Sequence, residues 1–282
     1  MISGTRYQLQ RDVNRQMRLA TEVARAQAEI STGKRILAPS DDPVGAARVS
    51  EIGRSQANQD IWRTNLDSAL ALASNAEGVL AALTTAFDRA NELMLSASTA
   101  TQSAENRSAI ALELDSIAEE VALLRETRDS RGELLFPAAA SAIRIPVGPG
   151  LSIAAVGTRE GVFDTVATAA GARSLGAIMA SAAAAVRGGD PAAIAAALSE
   201  TNAGSRHVIA AHGEQGSRGA RIDTLRDRIE SSALNLEEER SSIESADVME
   251  VIARLQSRQV SLEAAQATFA RINRATLFDL LS

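Results

Sequence analysis

The chain contains no cysteine, and its 282 residues include only one tryptophan, one tyrosine and two histidines. Without cysteine, neither disulfide bonds nor thiolate chemistry is available to it. Aromatic residues make up 2% of the chain while hydrophobic residues make up 45%, so alanine and aliphatic side chains supply the apolar surface. Such side chains suit closely approaching helices, whereas ligand pockets and protein interfaces draw heavily on aromatic residues.

Basic residues are also in deficit. The 29 lysines and arginines are outnumbered by 35 acidic residues, which gives a formal net charge of −6. Nucleic-acid binding relies on basic surfaces that neutralise phosphates and, for single strands, on aromatic side chains that stack on bases. We therefore expect no nucleic-acid partner.

The chemistry needed for catalysis is missing from the sequence. His207 and His212 are five residues apart, so a helix would place them on different faces; the spacing fits no zinc motif and indicates surface histidines. The pair Asp41 and Asp42 could serve as acid and base, but Pro43 directly after them favours helix capping. We predict a protein without catalytic residues, metal or cofactor.

Long apolar runs are absent as well. The first 18 residues lack the apolar region of a cleavable signal peptide. An apolar stretch such as Ala180–Val186, which includes one serine, is far too short to span a bilayer. The sequence therefore predicts no membrane insertion, and only a dedicated export apparatus could carry the chain out of the cell.

The first helical segment carries a stripe that repeats every three or four residues. The stripe passes through Leu9, Val13, Gln16, Ala20, Val23, Gln27 and Ile30. Its average period of about 3.5 residues is typical of a coiled-coil seam. Gly33 follows and suits the left-handed position that ends a helix. After a loop containing Asp41, we expect Asp42 to cap a new helix that starts at Pro43.

The second helical segment runs from Pro43 to about Ser98 without another proline. Its stripe consists of Leu66, Ala69, Ala73, Ala76, Leu80, Leu83, Phe87, Ala90 and Met94. After a polar break, a shorter helix carries apolar residues from Ile110 to Leu124. Segments well beyond the usual length of about 11 or 12 residues indicate a coiled coil or fibre element.

The middle of the chain has a different pattern. Between Gly132 and Asp164, three prolines and short alternating runs such as Leu151–Ile153 predict a small hairpin or β-bearing loop. A short alanine-rich helix is expected over about residues 172–187. A Gly-Gly-Asp turn before Pro191 then starts another long helical segment.

The last helical segment follows a predicted cap at Asp247 and has regular heptads. They consist of Val248, Ile252, Leu255, Gln259, Leu262, Gln266, Phe269, Asn273, Thr276 and Leu280. Polar members of such a seam fix its register and weaken it. Because seams of this kind close both ends of the chain, we expect the two ends to pair.

These patterns predict a mainly α fold. It is a long antiparallel coiled-coil or helical-bundle rod formed by the N- and C-terminal halves, with a small β-bearing insertion at its tip. We assign residues 1–42 and 246–282 to a terminal coiled-coil assembly domain. Residues 43–131 and 172–245 form a helical rod domain, and residues 132–171 form the small β insertion.

Four segments resemble the signatures of flagellins and hook-associated proteins. Ile30–Ile36 and Pro39–Ala47 resemble the N-terminal signature of this superfamily. Gly219–Leu225 resembles the entry into its long C-terminal helix, and Ser242–Val248 resembles the acidic joint before its last helix. The resemblance covers about residues 1–135 and 200–282. Arg131–Pro137 is a weak version of the family's glycine-rich motif, and the insertion is short, which implies a reduced outer domain.

The resemblance implies a non-enzymatic structural subunit of the bacterial flagellum. Both chain ends look more like the junction members of the family than like filament flagellins. This implies export without a cleavable signal through the flagellar type III apparatus, aided by a flagellar export chaperone. Outside the cell, a ring of identical subunits would sit between the preceding hook-associated junction protein and flagellin. Two alternatives stay open: a divergent or minor flagellin that forms the filament itself, and an intracellular coiled-coil scaffold.

The candidate site is the set of assembly contacts on the terminal helices. The apolar surface of these helices is small relative to the entropy cost of ordering about 60 residues. We hypothesise that the ends are mobile in the monomer and become ordered when neighbouring subunits cover them. The predicted assembly contacts are Leu9, Val13, Val23, Ile30, Val248, Ile252, Leu255, Leu262, Phe269 and Leu280. The predicted helix-restart loop comprises Gly33, Asp41, Asp42 and Pro43.

Overall fold

The computed structural model describes residues 2–99 and 102–279. They fall into two compact units. The terminal unit is built from the described parts of residues 1–57 and 233–282, and the central unit from those of residues 58–232. The division into assembly, rod and insertion domains stays a prediction about function.

The described residues form long helices and four short strands. The helices are α1 (Ile2–Thr32), α2 (Pro43–Ala97), α3 (Ala104–Arg125), α4 (Leu175–Gly188), α5 (Pro191–Glu244) and α6 (Val248–Asp279). The strands are β1 (Ile145–Gly148), β2 (Leu151–Ile153), β3 (Val166–Thr168) and β4 (Gly171–Arg173). The predicted fold class, mainly α with a small β insertion, is confirmed.

Local capping signals set the helix ends. The Ser103 hydroxyl accepts a hydrogen bond from the Asn106 backbone N–H, 3.2 Å away, at the start of α3. Gly189 ends α4 with φ at +72°, in the left-handed region. Glycine adopts this conformation with little steric strain because it has no Cβ. Asp190 then caps α5, and the proline after it occupies the first helical position.

The central unit is organised around the apolar stripe of α2. All nine predicted stripe residues, from Leu66 to Met94, are buried with at most 1% of their surface exposed. Six of them belong to a cluster with buried side chains of α3, α4 and α5, and the other three to a second cluster with the middle of the chain and Ile222 of α5. Gly204 of α5 lies against the fully buried ring of Phe87, and a Cβ at that position would come within 2.3 Å of the ring. The absence of a side chain therefore allows this close packing.

Two antiparallel hairpins, β1–β2 and β3–β4, form the insertion. Buried side chains of β1 and β2 join a cluster with α2 and α5. The second hairpin extends to Arg173, two residues past the predicted end of the insertion, and α4 starts at Leu175, where the sequence predicted a start near 172. Strands of three residues that contain Ala or Gly carry too little alternation to be recognised in sequence.

A π-helical turn at Glu160–Asp164 precedes the second hairpin. It buries Val162 and Phe163, and the Phe163 ring meets the Phe136 ring edge-on with centroids 5.3 Å apart. The His207 Nε2 atom lies 3.2 Å from the Val162 carbonyl oxygen. His207 is partly exposed at the surface of α5, and its ring is turned towards the insertion.

One helix among the described residues, α2, is long and apolar enough to cross a membrane when judged by length and composition alone. Short apolar stretches of the sequence do not reveal this property, because polar residues recur within α2 at helical intervals. The apolar residues of its stripe are buried in the core of the central unit.

Candidate assembly surface on the terminal helices

Helices α1 and α6 pack against each other in the terminal unit. The Gln16 side-chain amide donates to the Ala265 carbonyl, and Glu22 forms an ion pair with Arg258 at 3.0 Å. Further along α1, Glu29 pairs with Arg254. Partner numbers fall on α6 as they rise on α1, so the two helices are antiparallel.

The face of α1 that meets α6 differs from the predicted stripe at two positions. Leu19 and Ala26 are buried, whereas Ala20 and Gln27, which the repeat assigned to the seam, are exposed. A repeat of three and four residues leaves each step ambiguous by one position because a helix has about 3.6 residues per turn. The larger side chain of Leu19 buries more apolar surface than Ala20 could.

The corresponding face of α6 also departs from the prediction. Val251 is buried, with 3% of its surface exposed. Gln259 and Gln266 are exposed and do not lie in the seam as predicted. Of the predicted polar seam residues, Gln16 is half-buried and bonds to the partner helix. Asn273 belongs to the C-terminal stretch whose side chains lie outside the described part of the structure.

Most of the ten predicted assembly contacts lie half-buried on these two helices. Seven of them share this intermediate exposure: Val13, Val23, Ile30, Ile252, Leu255, Leu262 and Phe269. Leu9 and Val248 are more open, with 42% and 41% of their surface exposed. Leu280 lies outside the described residues. The pairing of α1 with α6 therefore leaves apolar surface on both helices.

A buried carboxylate is the centre of the polar contacts between the helices. Glu29 is 4% exposed. It accepts a hydrogen bond from Arg25 Nε at 3.0 Å on its own helix and pairs with Arg254 across the interface. Arg25 Nη1 also lies 3.0 Å from the Asp41 carboxylate. This network connects α1, α6 and the loop before α2. The sequence does not indicate this network, because a glutamate next to Ile30 on a helix is normally an exposed, solvated charge.

The two interruptions between long helices lie side by side. Gly33 has φ at +67°, and Lys34 forms an antiparallel bridge with Ser245. The Arg35 backbone N–H donates to the Glu244 carbonyl at 2.7 Å. Because both interruptions share this short piece of strand pairing, the end of α1 and the start of α6 are fixed relative to each other.

Charged side chains surround this bridge. Lys34 Nζ and Arg240 Nε lie 3.1 and 3.0 Å from the two carboxylate oxygens of Glu244. Partial burial acts to raise the pKa of Glu244, but the hydrogen bonds from Lys34 and Arg240 outweigh it and lower the pKa. The Glu244 carboxylate therefore stays charged between its two partners.

The two aspartates of the restart loop bind backbone amides. Asp42 accepts a hydrogen bond from the Gly45 N–H at 2.9 Å, which caps α2, and this bond is the main cause of its lowered pKa. The Asp41 carboxylate accepts bonds from the backbone N–H groups of Ala38 and Leu37, and its pKa is lowered chiefly by the bond from Ala38. Both carboxylates thus have structural partners. Pro43 is the first residue of α2.

Comparison with known proteins places these helices in a family. Residues 8–140 match the model of the bacterial flagellin N-terminal helical region, and residues 198–281 match that of the C-terminal helical region. Flagellar hook-associated protein 3 of Escherichia coli K12 is 25% identical over 89% of this chain and 90% of its own length.

Solved structures share the fold. A Vibrio parahaemolyticus protein described as a flagellar hook-associated protein superposes with a TM-score of 0.64 at 16% identity, covering 73% of this chain and all of that one. The flagellar junction protein FlgL of Legionella pneumophila gives 0.56 at 12% identity, over 72% of this chain and 100% of its own. Since the helical regions at both ends match and their antiparallel pairing is present here, the chain belongs to the flagellin family.

Proposed function

We propose that this chain is a structural subunit of the bacterial flagellum that joins the hook to the filament. The observation that carries the proposal is the similarity to hook-associated protein 3, which extends over 89% of this chain and 90% of the relative's length. The fold shared with a flagellar junction protein supports it. Family membership also supports a structural rather than an enzymatic role.

The terminal helices provide the assembly surface in this proposal. Pairing of α1 with α6 leaves seven predicted contact residues half-buried and two more than 40% exposed. A neighbouring subunit can cover this remaining apolar surface, which stabilises the contact by about 25 cal/mol per Å² removed from water. Identical subunits that repeat one such contact form a ring if the rotation closes. The ring lies between the preceding hook-associated junction protein and flagellin.

The same proposal includes the route of export. The subunit leaves the cell through the flagellar type III apparatus, and an export chaperone holds the C-terminal helix beforehand. Helices that depend on neighbours for much of their burial suit a chain that must travel unfolded. Amide hydrogen exchange on dilute monomer and on assembled flagella tests this dependence. Strong protection of α1 and α6 in the monomer would contradict it.

Gene deletion tests the junction role. A strain of the source bacterium that lacks the gene should keep its hooks, lose attached filaments and release flagellin into the medium. A plasmid copy of the gene should restore the filaments. Filaments of normal length and number in the deletion strain would refute the proposal.

Quantitative mass spectrometry of sheared flagella separates the alternatives. A junction ring predicts that the chain is present in trace amount relative to flagellin. Bulk amounts along the filament would identify a divergent or minor flagellin that forms the filament itself, and presence only in the cytoplasm would identify a scaffold.

A further inference from the structure

One exposed side of α1 carries a basic patch. Arg11, Arg15 and Arg18 follow the i, i+4, i+7 spacing of one helix face, and together with Met17 they line one groove. Asp12 and Glu22 line the same groove, and Glu22 is paired with Arg258 of α6, so arginines predominate in it. All three arginines are exposed, and none forms an ion pair with any residue that the structure describes. Arg11 stacks on the Tyr7 ring, 5.8 Å from its centroid. Met17 is 55% exposed among these cations.

The end of α5 in the terminal unit carries the opposite pattern. Leu234, 62% exposed, is followed at i+3 and i+4 by Glu237 and Glu238, so the three share a helix face. Glu237 accepts a hydrogen bond from the neutral Gln56 amide at 2.8 Å, and Glu238 has no polar partner among the described residues. In each patch an exposed apolar residue therefore lies beside charges, arginines on α1 and glutamates on α5, that form no ion pair with any described residue.

The two patches cannot meet within one molecule. Arg15 lies 17 residues before the end of α1, which corresponds to about 26 Å along the helix axis. The end of α1 is held beside Glu244 by the Lys34–Ser245 bridge, and Glu238 lies on α5, six residues before Glu244. An arginine side chain reaches only a small part of this distance, so a contact between the patches must be intermolecular.

We infer that the basic patch of α1 (Arg11, Arg15, Met17 and Arg18) binds the acidic patch of α5 (Leu234, Glu237 and Glu238) of a second copy of this chain. Two different patches of one chain make a head-to-tail contact, the kind that generates rings. Opposite charges fix the register and orientation of neighbours, and the two apolar residues are covered at the centre of the contact. The inference rests on the proposed self-assembly and specifies which surfaces carry it.

Disulfide cross-linking tests the contact directly, because the chain has no cysteine of its own. The full-length double variant Met17→Cys/Leu234→Cys is expressed in the deletion strain, and flagella are isolated and oxidised. Covalent multimers are expected on non-reducing gels, whereas each single variant stays monomeric. The pair Val260→Cys/Leu234→Cys is the matched control, since Val260 is 66% exposed on α6, outside the basic patch. No multimers from the test pair, or equal yields from both pairs, would overturn the inference.

A charge exchange provides the second test. Arg15→Glu/Arg18→Glu and Glu237→Arg/Glu238→Arg should each reduce the amount of chain in the flagellar fraction by roughly tenfold, because like charges then face each other. The quadruple variant should regain most of the loss. Circular dichroism checks that the variants keep their helices, which is expected for exposed positions.

The outcomes separate the two proposals. If the unmodified chain is absent from flagella, the proposed function fails before either variant is made. If the unmodified chain is present but the reversals have no effect, or the quadruple variant does not recover, the flagellar role stands and this contact is wrong.

Discussion

Glu29 allows the pairing of α1 with α6 to be tested by one substitution. The residue is 4% exposed, and its carboxylate pairs with Arg25 of α1 and Arg254 of α6. Glu29→Ala removes the only acidic group of this network that lies inside the helix interface among the described residues. It leaves two guanidinium groups without their shared partner.

The size of the effect follows from burial. Removing one partner of a fully buried ion pair costs about 3–5 kcal/mol. The side chains of Arg25 and Arg254 are 48% and 45% exposed, so both can regain water after the substitution. The expected cost therefore falls to about 1–3 kcal/mol for the local opening of the helix pair.

Glu22→Ala is the matched control on the same helix. Glu22 pairs with Arg258 across the same interface at 3.0 Å, but both side chains are nearly half exposed. Its removal should cost about 0.2–1 kcal/mol. Amide hydrogen exchange of α1 and α6 peptides in assembled flagella measures both variants, because about 1.4 kcal/mol corresponds to a tenfold faster exchange. Equal acceleration in the two variants would show that burial of Glu29 does not determine the strength of the pairing.

Three further predictions concern the rest of the chain. Gly204→Ala should destabilise the central unit by about 1–3 kcal/mol because its Cβ would clash with the buried Phe87 ring. Gly213→Ala, in open space on the same helix, should stabilise the unit by about 0.5–1 kcal/mol. Thermal unfolding measures both variants, and a stabilising Gly204→Ala would refute the packing. Asp42→Ala should speed hydrogen exchange in the first turn of α2, since the Gly45 amide loses its acceptor; unchanged exchange would show that this cap is dispensable. The folded chain lowers the pKa of Asp42 below its ordinary 3.8, so its stabilisation is complete above that value and is lost as pH falls through the folded pKa. The protection of this turn, taken relative to the intrinsic exchange rate at each pH, should therefore fall below about pH 4 in the natural chain, and equally in Asp42→Ala only if another group titrates there.

Helix boundaries could be predicted from the sequence because they depend on local chemistry. Gly33, Asp42 and Pro43 specify one interruption through their own backbone preferences, and Asp190 with Pro191 specifies another. The apolar stripe of α2 could also be predicted, because large and small apolar residues recur there at heptad spacing. All of the predicted stripe residues are buried in the structure. These features require no knowledge of distant residues.

Short strands and turns were less predictable. The second hairpin has three-residue strands, and the π-helical turn before it has no recognisable sequence signal. Both are stabilised by packing, which places Val162 and Phe163 in the core of the central unit. Where the local sequence favours no single conformation, the segment adopts the one that tertiary contacts stabilise.

The sequence by itself determined where the long helices begin and end, which face of α2 is apolar, and that both chain ends carry seams. Only the tertiary structure decided that Leu19 rather than Ala20 faces α6, that Glu29 is buried, and that Lys34 pairs with Ser245. The physical reason is the range of the interactions. Caps and periodicity act within a few residues, whereas the register of α1 on α6 depends on side chains more than 200 positions apart, and only folding brings these together.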